Sequence, residues 1–297
     1  MHDKLNGLIL LNAYSPTLET RQAKRLAEEL TLRGVNVTVR RNDGFMLGIN
    51  GGAVAGDARC DFCLYLDKDK YTAQMLEKRG VRLFNRAQAI ADCDDKMQTH
   101  IALADNGIPM PKTLAGLLCY DRNASVPTRV LDDVEKSLGY PLVVKLSYGS
   151  FGKGVFKADD RAQLAALAES VKLHPHLFQQ YVAAAHGKDM RVIVVGGKTL
   201  GGILRTSNGD FRSNVGLGGT AEKTDVPAEI SALSRKIARL LNLDYCGLDF
   251  LLSPAPLLCE VNSNAFFDAF ESATGINVAG AYAEHIVSTM RGANQTN

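Results

Sequence analysis

Hydrophobic and polar positions along this chain follow two periods, and the switches between them fall at glycines and prolines. Residues 8–11 form a short apolar run that reads as a buried strand. Residues 17–33 carry Ala23, Leu26, Ala27 and Leu30 at helical spacing, Gly34 closes them, and residues 35–39 alternate like a second strand. Two more strands are predicted at 62–66 and 81–84, with a short helix at 71–78 between them. Such alternation predicts a small α/β domain with a parallel sheet. The glycines at 44, 48, 51, 52 and 56 read as a flexible loop.

A helix over 87–106, with Ile90, Met97, Ile101 and Ala104 on one face, is closed by Gly107, Pro109 and Pro111 and marks a boundary. Strands are then predicted at 142–146, 155–158 and 177–182, with a helix at 159–172. Strands at 192–195 and 199–204, a proline-initiated helix at 227–241 and a hairpin at 248–252 and 257–261 follow. A loop or short helix at 265–273 leads to a closing helix at 276–290. The fold class is α/β, passing to α+β in the C-terminal part, with domains expected at 1–92, 93–182 and 183–297.

Composition narrows the classes without naming one. The 297 residues suffice for two or three cores, and 34 basic against 32 acidic residues leave a charge of +2. No basic run is interleaved with aromatics, so no nucleic-acid surface is predicted. No segment reaches transmembrane length and the first apolar run is too short for a signal peptide, so a cytoplasmic location is the default expectation. Most of the six cysteines sit inside apolar patterns and read as buried free thiols. Cys60 and Cys63 have the C-x-x-C spacing of zinc and redox sites, but no second pair follows and the run continues as a strand. After the first strand, Asn12-Ala13-Tyr14-Ser15-Pro16 stands where a dinucleotide fold has G-x-G-x-x-G, which excludes a dehydrogenase.

The chemistry concentrates in residues 247–264, GLDFLLSPAPLLCEVNSN. If the turn is symmetric, Asp249 lies across from Glu260 with Asn262 on their face, while Leu248, Phe250, Leu252, Leu257, Cys259 and Val261 face the core. Two carboxylates about 5 Å apart repel, so the pair needs a cation or a shared proton unless the face is simply turned to water. Asp, Glu and Asn oxygens suit Mg²⁺ carried by a nucleotide's phosphates. Upstream, the loop Ser147-Tyr148-Gly149-Ser150-Phe151-Gly152-Lys153-Gly154 joins two strands, so it reads as a phosphate-covering flap and not a Walker A loop. Lys145 ends an apolar strand and is costly to bury without an anion. Asp189 and Arg191 share a strand face, Arg205 closes the next strand, and Arg212 and Asn214 follow in a glycine-rich segment. Beside a nucleotide these arginines are a phosphate clamp; elsewhere they are a solvated loop. Lys96, after Asp92, Asp94 and Asp95, reads locally as a solvated lysine.

Taken in order, Lys96, Lys145 with SYGSFGKG, FQQYV, GKDMRV, RTSNGDFRSNVGLGG, GLDFLL and CEVNSN…ESATGINVAG resemble the ATP-grasp superfamily, and within it the RimK-type ligases that add glutamate or a related amino acid to a carboxylate. The resemblance runs from about residue 85 to the end, and the first domain is similar to the small α/β domain that precedes ATP-grasp modules. It implies ATP and Mg²⁺, with Mn²⁺ as a substitute, and an amino acid and a carboxylate acceptor as partners. The acceptor could be a small molecule, a peptide or a carrier-bound acid. Lys96 and Lys145 would contact the ATP phosphates, with Ser147, Gly149, Ser150, Gly152 and Gly154 in the flap. Gln179, Gln180, Tyr181 and Val182 would hold adenine through backbone groups, with Asp189 and Asn214 also beside the nucleotide. Asp249, Glu260 and Asn262 would hold the metal, and Arg191, Arg205 and Arg212 would line the phosphoryl and acyl end. Ala265-Phe266-Phe267-Asp268 replaces the Ser-Pro-Gly turn of the ribosomal-protein glutamate ligases, and Gln180 replaces a frequent glutamate; both bear on the acceptor. D-amino-acid dipeptide ligation and a nucleotide-binding regulatory protein are the alternatives. Related ligases are commonly dimers or tetramers.

Overall fold

The structure, a computed structural model, describes residues 4–14, 17–44, 47–207, 209–213 and 219–293. The chain opens with β1 (Asn6–Leu11), α1 (Thr17–Leu32) and β2 (Asn36–Arg41). A small hairpin of β3 (Gly48–Asn50) and β4 (Ala53–Ala55) precedes β5 (Phe62–Leu66), α2 (Lys70–Lys78) and β6 (Arg82–Phe84). Strands β2, β1, β5 and β6 make a parallel sheet in that order, as the alternation predicted. The hairpin corrects the loop expected from the glycines. Gly51 and Gly52 take φ of 58° and 80°, the two left-handed positions that a two-residue hairpin turn requires. Cys63 is fully buried in this domain's core and Cys60 partly buried; burial pushes the Cys63 thiol well up and that of Cys60 to about 11, away from the thiolate that metal or redox chemistry uses.

The single helix predicted over 87–106 is two, α3 (Ala87–Asp94) and α4 (Lys96–Leu103). Asp95 between them is extended, and its carboxylate accepts from the amides of Met97 and Gln98, so an N-cap interrupts the apolar stripe. The break brings the Lys96 amide to the Ser147 carbonyl at 2.9 Å.

The central unit comprises β7 (Thr113–Ala115), α5 (Thr128–Leu138), β8 (Leu142–Leu146), β9 (Val155–Ala158), α6 (Arg161–Val171) and β10 (His176–Gln180). Its antiparallel sheet runs β7-β10-β8-β9, and Leu131, Val134, Leu164 and Ala168 of the two helices bury against Val144 and Phe178. The apolar pattern predicted neither β7, which is only three residues, nor α5, although Pro127 and Gly139 bracket α5.

The C-terminal unit holds β11 (Lys188–Val195), β12 (Lys198–Thr206), β13 (Thr220–Thr224), α7 (Ala228–Leu240), β14 (Tyr245–Leu251), β15 (Leu257–Asn262), α8 (Asp268–Thr274) and α9 (Val278–Ala293). Its antiparallel order is β13-β12-β11-β14-β15. β13 is a polar edge strand, TAEKT, with no apolar alternation to reveal it. One face of the sheet buries Met190, Val192, Leu248 and Phe250 against Ile230 and Ile237 of α7. The other face divides. Its far half, with Ile193, Val195, Ile203 and Tyr245, shares one core with Leu26, Leu30 and Phe62 of the first domain and Ile286 of α9. Asn85 fastens the junction: its amide nitrogen donates to the Tyr245 and Ser263 carbonyls at 2.8 Å, and its oxygen accepts from the Asp244 and Tyr245 amides. Among the described residues no helix is long and apolar enough to cross a membrane.

Candidate active site

The near half of that face is charged, because β11, β12, β14 and β15 align ionic residues in neighbouring register. Asp189 stands opposite Arg205, and Arg191 opposite Asp249, which is itself opposite Glu260. Arg191 donates through Nε and Nη2 to the two Asp249 oxygens, each at 2.7 Å. Arg205 makes the same fork on Asp189 at 2.7 and 2.5 Å, and its Nη2 also lies 2.9 Å from Asp249. Ser213 Oγ donates to Asp189 as well. Buried ions survive only when paired in this way. Burial raises the Asp249 pKa, but Arg191 and Arg205 outweigh it and hold the carboxyl down at about 2. At Asp189 burial wins over Arg205, with the Asp249 charge adding to it, and the pKa is raised.

The hairpin places Asp249 and Glu260 face to face, as the sequence predicted, but it is not symmetric. The register slips after Asp249, so Phe250 pairs with Leu258 and Cys259 is the extra residue. This corrects the predicted core face: Leu258 packs in the core, and Cys259 instead lines the cleft beside Lys145, Nζ to Sγ 3.5 Å. Asn262 Nδ2 reaches Asp249 Oδ2 at 3.3 Å. Among the described residues Glu260 has a single ionic partner, Lys96 at 3.9 Å, and its side chain is 34% exposed. Two carboxylates and an amide on adjacent strands supply the hard oxygen donors that suit a divalent cation. Arg191 and Arg205 occupy the Asp249 oxygens such an ion would share.

A cleft opens between this sheet and the central one. Val143 and Val155 from one side and Leu251 from the other give it apolar walls, and Tyr181 and Val182 close its end. Lys145 is buried there with 8% exposure. Lys96 Nζ donates to the Gly149 carbonyl at 2.8 Å, so Lys96 is a cleft residue and not a solvated one. Burial pushes its pKa down; Glu260 opposes this and Lys145 reinforces it. Two lysines buried in one cleft are what an anion would relieve. Below them His100 is held neutral, burial and Lys145 bringing its pKa down to about 4.

Gly149, Ser150 and Gly152 line the cleft, whereas Ser147 and Gly154 lie at the root of the flap. Ser147 spends its carbonyl on Lys96 and its amide on Pro175. Gly154, at φ 75°, packs against Leu146, where a Cβ would come within 2.8 Å of a methyl. Phe151 stacks on Phe266 at 5.8 Å with 10° between the rings, and Arg212 Nη1 donates to the Gly152 carbonyl at 2.8 Å. Arg212 therefore braces the flap, with Asp210 as its ion partner, and is not among the residues around the second cavity. The Gln179 side chain turns away from the cleft to Thr113 and His100, leaving only its backbone for a ligand. Asn214 lies outside the described residues.

A second, larger cavity adjoins the first. Arg191, Asn262, Phe266 and Asp268 line it, together with Asn12, Tyr14, Asp67 and Lys68 of the first domain. Phe267, expected near the acceptor, is instead fully buried in the shared core. No local pattern marks Asn12, Asp67 or Lys68, because each reaches the site through long-range packing. Lys68, for instance, reaches Ser150 of the flap at 3.2 Å and Asp94 at 2.6 Å.

A model of the RimK-like ATP-grasp domain matches residues 93–286. The chain belongs to that family. Human N-acetylaspartylglutamate synthase A is 38% identical to this RimK-like chain over 228 residues, 75% of this chain and 57% of that protein. Human beta-citrylglutamate synthase B is 38% identical over 228 residues, 75% and 58% of the two. A probable alpha-L-glutamate ligase of Serratia proteamaculans is 36% identical over 217 residues, 72% and 70%. The chain thus spans little more than half the length of the two human relatives. Among solved structures, D-alanine–D-alanine ligase of Bacillus anthracis complexed with ATP superposes with a TM-score of 0.74 at 17% identity, covering 98% of this chain and 99% of that one. The ATP-grasp ligase PsnB complexed with minimal precursor, Mg and ADP gives 0.68 at 16%, covering 96% and 98%. The shared fold therefore extends through the N-terminal sheet that precedes the matched RimK-like domain.

Proposed function

We propose that this chain is an ATP-dependent, ADP-forming carboxylate–amine ligase that joins glutamate or a related amino acid to a carboxylate through an acyl phosphate. The observation that carries the reading is that Arg205, Asp249 and Glu260 line both cavities. A nucleotide with its base near Tyr181 and Val182 and its phosphates toward Lys96 and Lys145 would present its terminal phosphate where the second cavity begins. There a carboxylate oxygen attacks the γ-phosphorus, the bond to ADP breaks, and an acyl phosphate forms. An uncharged amine then attacks the acyl carbon; the carbon–oxygen bond to phosphate breaks, and one amine proton leaves with the phosphate.

The first step asks the protein for position and charge neutralisation more than for proton transfer. Lys96, Lys145 and the amides of Gly149, Ser150 and Gly152 suit the phosphates. Arg191 and Arg205 suit the acyl phosphate, each well-placed donor contributing on the order of 3 kcal/mol to the transition state. A divalent cation held by Asp249, Glu260 and Asn262 would neutralise phosphate oxygens; magnesium is supported by its presence with ADP in PsnB, and manganese is the substitute. Glutamate is common to the names of the three relatives, which supports it as the amine and makes N-acetylaspartate and citrate the first acceptors to try. ADP release should require a carboxylate, and hydroxylamine should trap the acyl phosphate as a hydroxamate. No ADP from any pair in a broad screen of carboxylates and amines overturns the reading.

A further inference from the structure

Asp268 lines the second cavity at the first turn of α8, and its Oδ2 is buried without a hydrogen-bond partner. Among the described residues one other buried side-chain atom shares that condition, the Tyr140 hydroxyl, which lines neither cavity. A buried carboxylate oxygen left without a donor costs free energy, so its retention calls for a partner that arrives from outside. Among the described residues none nearby supplies one. The cations around the cavity are already committed: Arg191 to Asp249 at 2.7 Å, Arg205 to Asp189 and Asp249 at 2.5 and 2.9 Å, and Lys68 to Asp94 at 2.6 Å. Nor is Asp268 used as a helix cap, since Phe267 holds that position and α8 has no side-chain cap.

A partner that donates hydrogen bonds and carries positive charge would satisfy this oxygen best. An alkylammonium fits well, with three donors on a point charge. Phe266, Ala269 and Phe270 beside Asp268 offer apolar walls for its carbon stem. We infer that Asp268 receives the ammonium group of the amino-acid co-substrate in the second cavity and so selects charged amines over neutral ones, the bound ammonium losing one proton to solvent before the resulting amine attacks. The inference rests on the ligase reading above.

The test is a competition between L-glutamate and hydroxylamine, with ATP, Mg²⁺ and N-acetyl-L-aspartate or citrate, near neutral pH. There glutamate carries an ammonium and hydroxylamine is largely uncharged. Asp268→Asn should shift the amide-to-hydroxamate ratio toward hydroxamate by roughly ten-fold or more, and raise KM for glutamate by a similar factor. KM for ATP should move less than about two-fold, and Asp268→Glu should recover part of the ratio. An unchanged ratio overturns the inference and leaves the ligase intact. So does a parallel fall of amide, hydroxamate and ATP affinity, which marks a structural role. A wild-type enzyme that makes neither product with any acceptor removes the ligase reading, and this inference with it. Thermal melts establish that the variants fold; should Asp268→Asn not fold, Asp268→Glu and Asp268→Ser carry the same ratio measurement.

Discussion

Arg191 and Asp249 are register partners on β11 and β14, joined by two hydrogen bonds of 2.7 Å each. The guanidinium therefore lies on the carboxylate that the hairpin sets opposite Glu260, so one side chain both orients a proposed metal ligand and reaches the second cavity. Arg191→Lys keeps the charge and loses the fork. Its kcat should fall about 100-fold while KM for ATP changes little, as measured by ADP release at saturating substrates. A variant retaining a tenth of wild-type kcat removes Arg191 from the acyl end.

Glu260 is the accessible member of the proposed metal set, and Lys96 is a distant ionic partner at 3.9 Å. Glu260→Gln should abolish turnover at ordinary magnesium concentrations and leave stability within about 0.5 kcal/mol of wild type. A denaturation curve and an ADP assay on the same preparation suffice. Retained activity contradicts the metal assignment.

Phe151 at the flap tip and Phe266 beyond β15 stack where the two cavities meet. Truncating either to Ala should loosen the closed flap and weaken ATP binding. A double-mutant cycle read by calorimetry should give a coupling of about 1 kcal/mol, the usual value for such a pair. Strictly additive losses would show that the rings act independently.

His100 predicts a pH dependence. Its folded pKa, about 4, lies below the ordinary 6.5. A group depressed in this way contributes stability that is full above its unfolded value and lost as the pH falls through the folded one. Between about pH 7.5 and pH 5 the wild type should lose on the order of 2 kcal/mol through this ring. Urea titrations at the two pH values measure it, and His100→Gln should flatten most of the slope. A slope unaffected by the substitution assigns the effect elsewhere.

The Asp249–Glu260 pairing was legible in the sequence because a hairpin is local: two apolar runs and a proline turn fix which residues face each other. The flap was legible for the same reason, and Lys145 through its apolar strand. Cys259 was misassigned because a bulge leaves no mark in a count of alternating positions, although it moves a side chain from one face to the other. The break at Asp95 was hidden beneath a continuous helical stripe. The pairing of Arg191 with Asp249 depends on register between strands separated by dozens of residues, and periodicity does not carry that. The wall formed by Asn12, Asp67 and Lys68 is more distant still, since it exists only once the first sheet has docked.

That docking uses one continuous core, in which Leu26, Leu30 and Phe62 meet Ile193, Tyr245 and Ile286. The first domain is consequently not an interchangeable cassette. An exchange of the first 92 residues with a relative would bring new walls for the acceptor, but it would also present unfamiliar side chains to the closing helix. Recombinants should tolerate the swap only when α9 travels with the graft, so in this architecture a change of acceptor is tied to both ends of the chain at once.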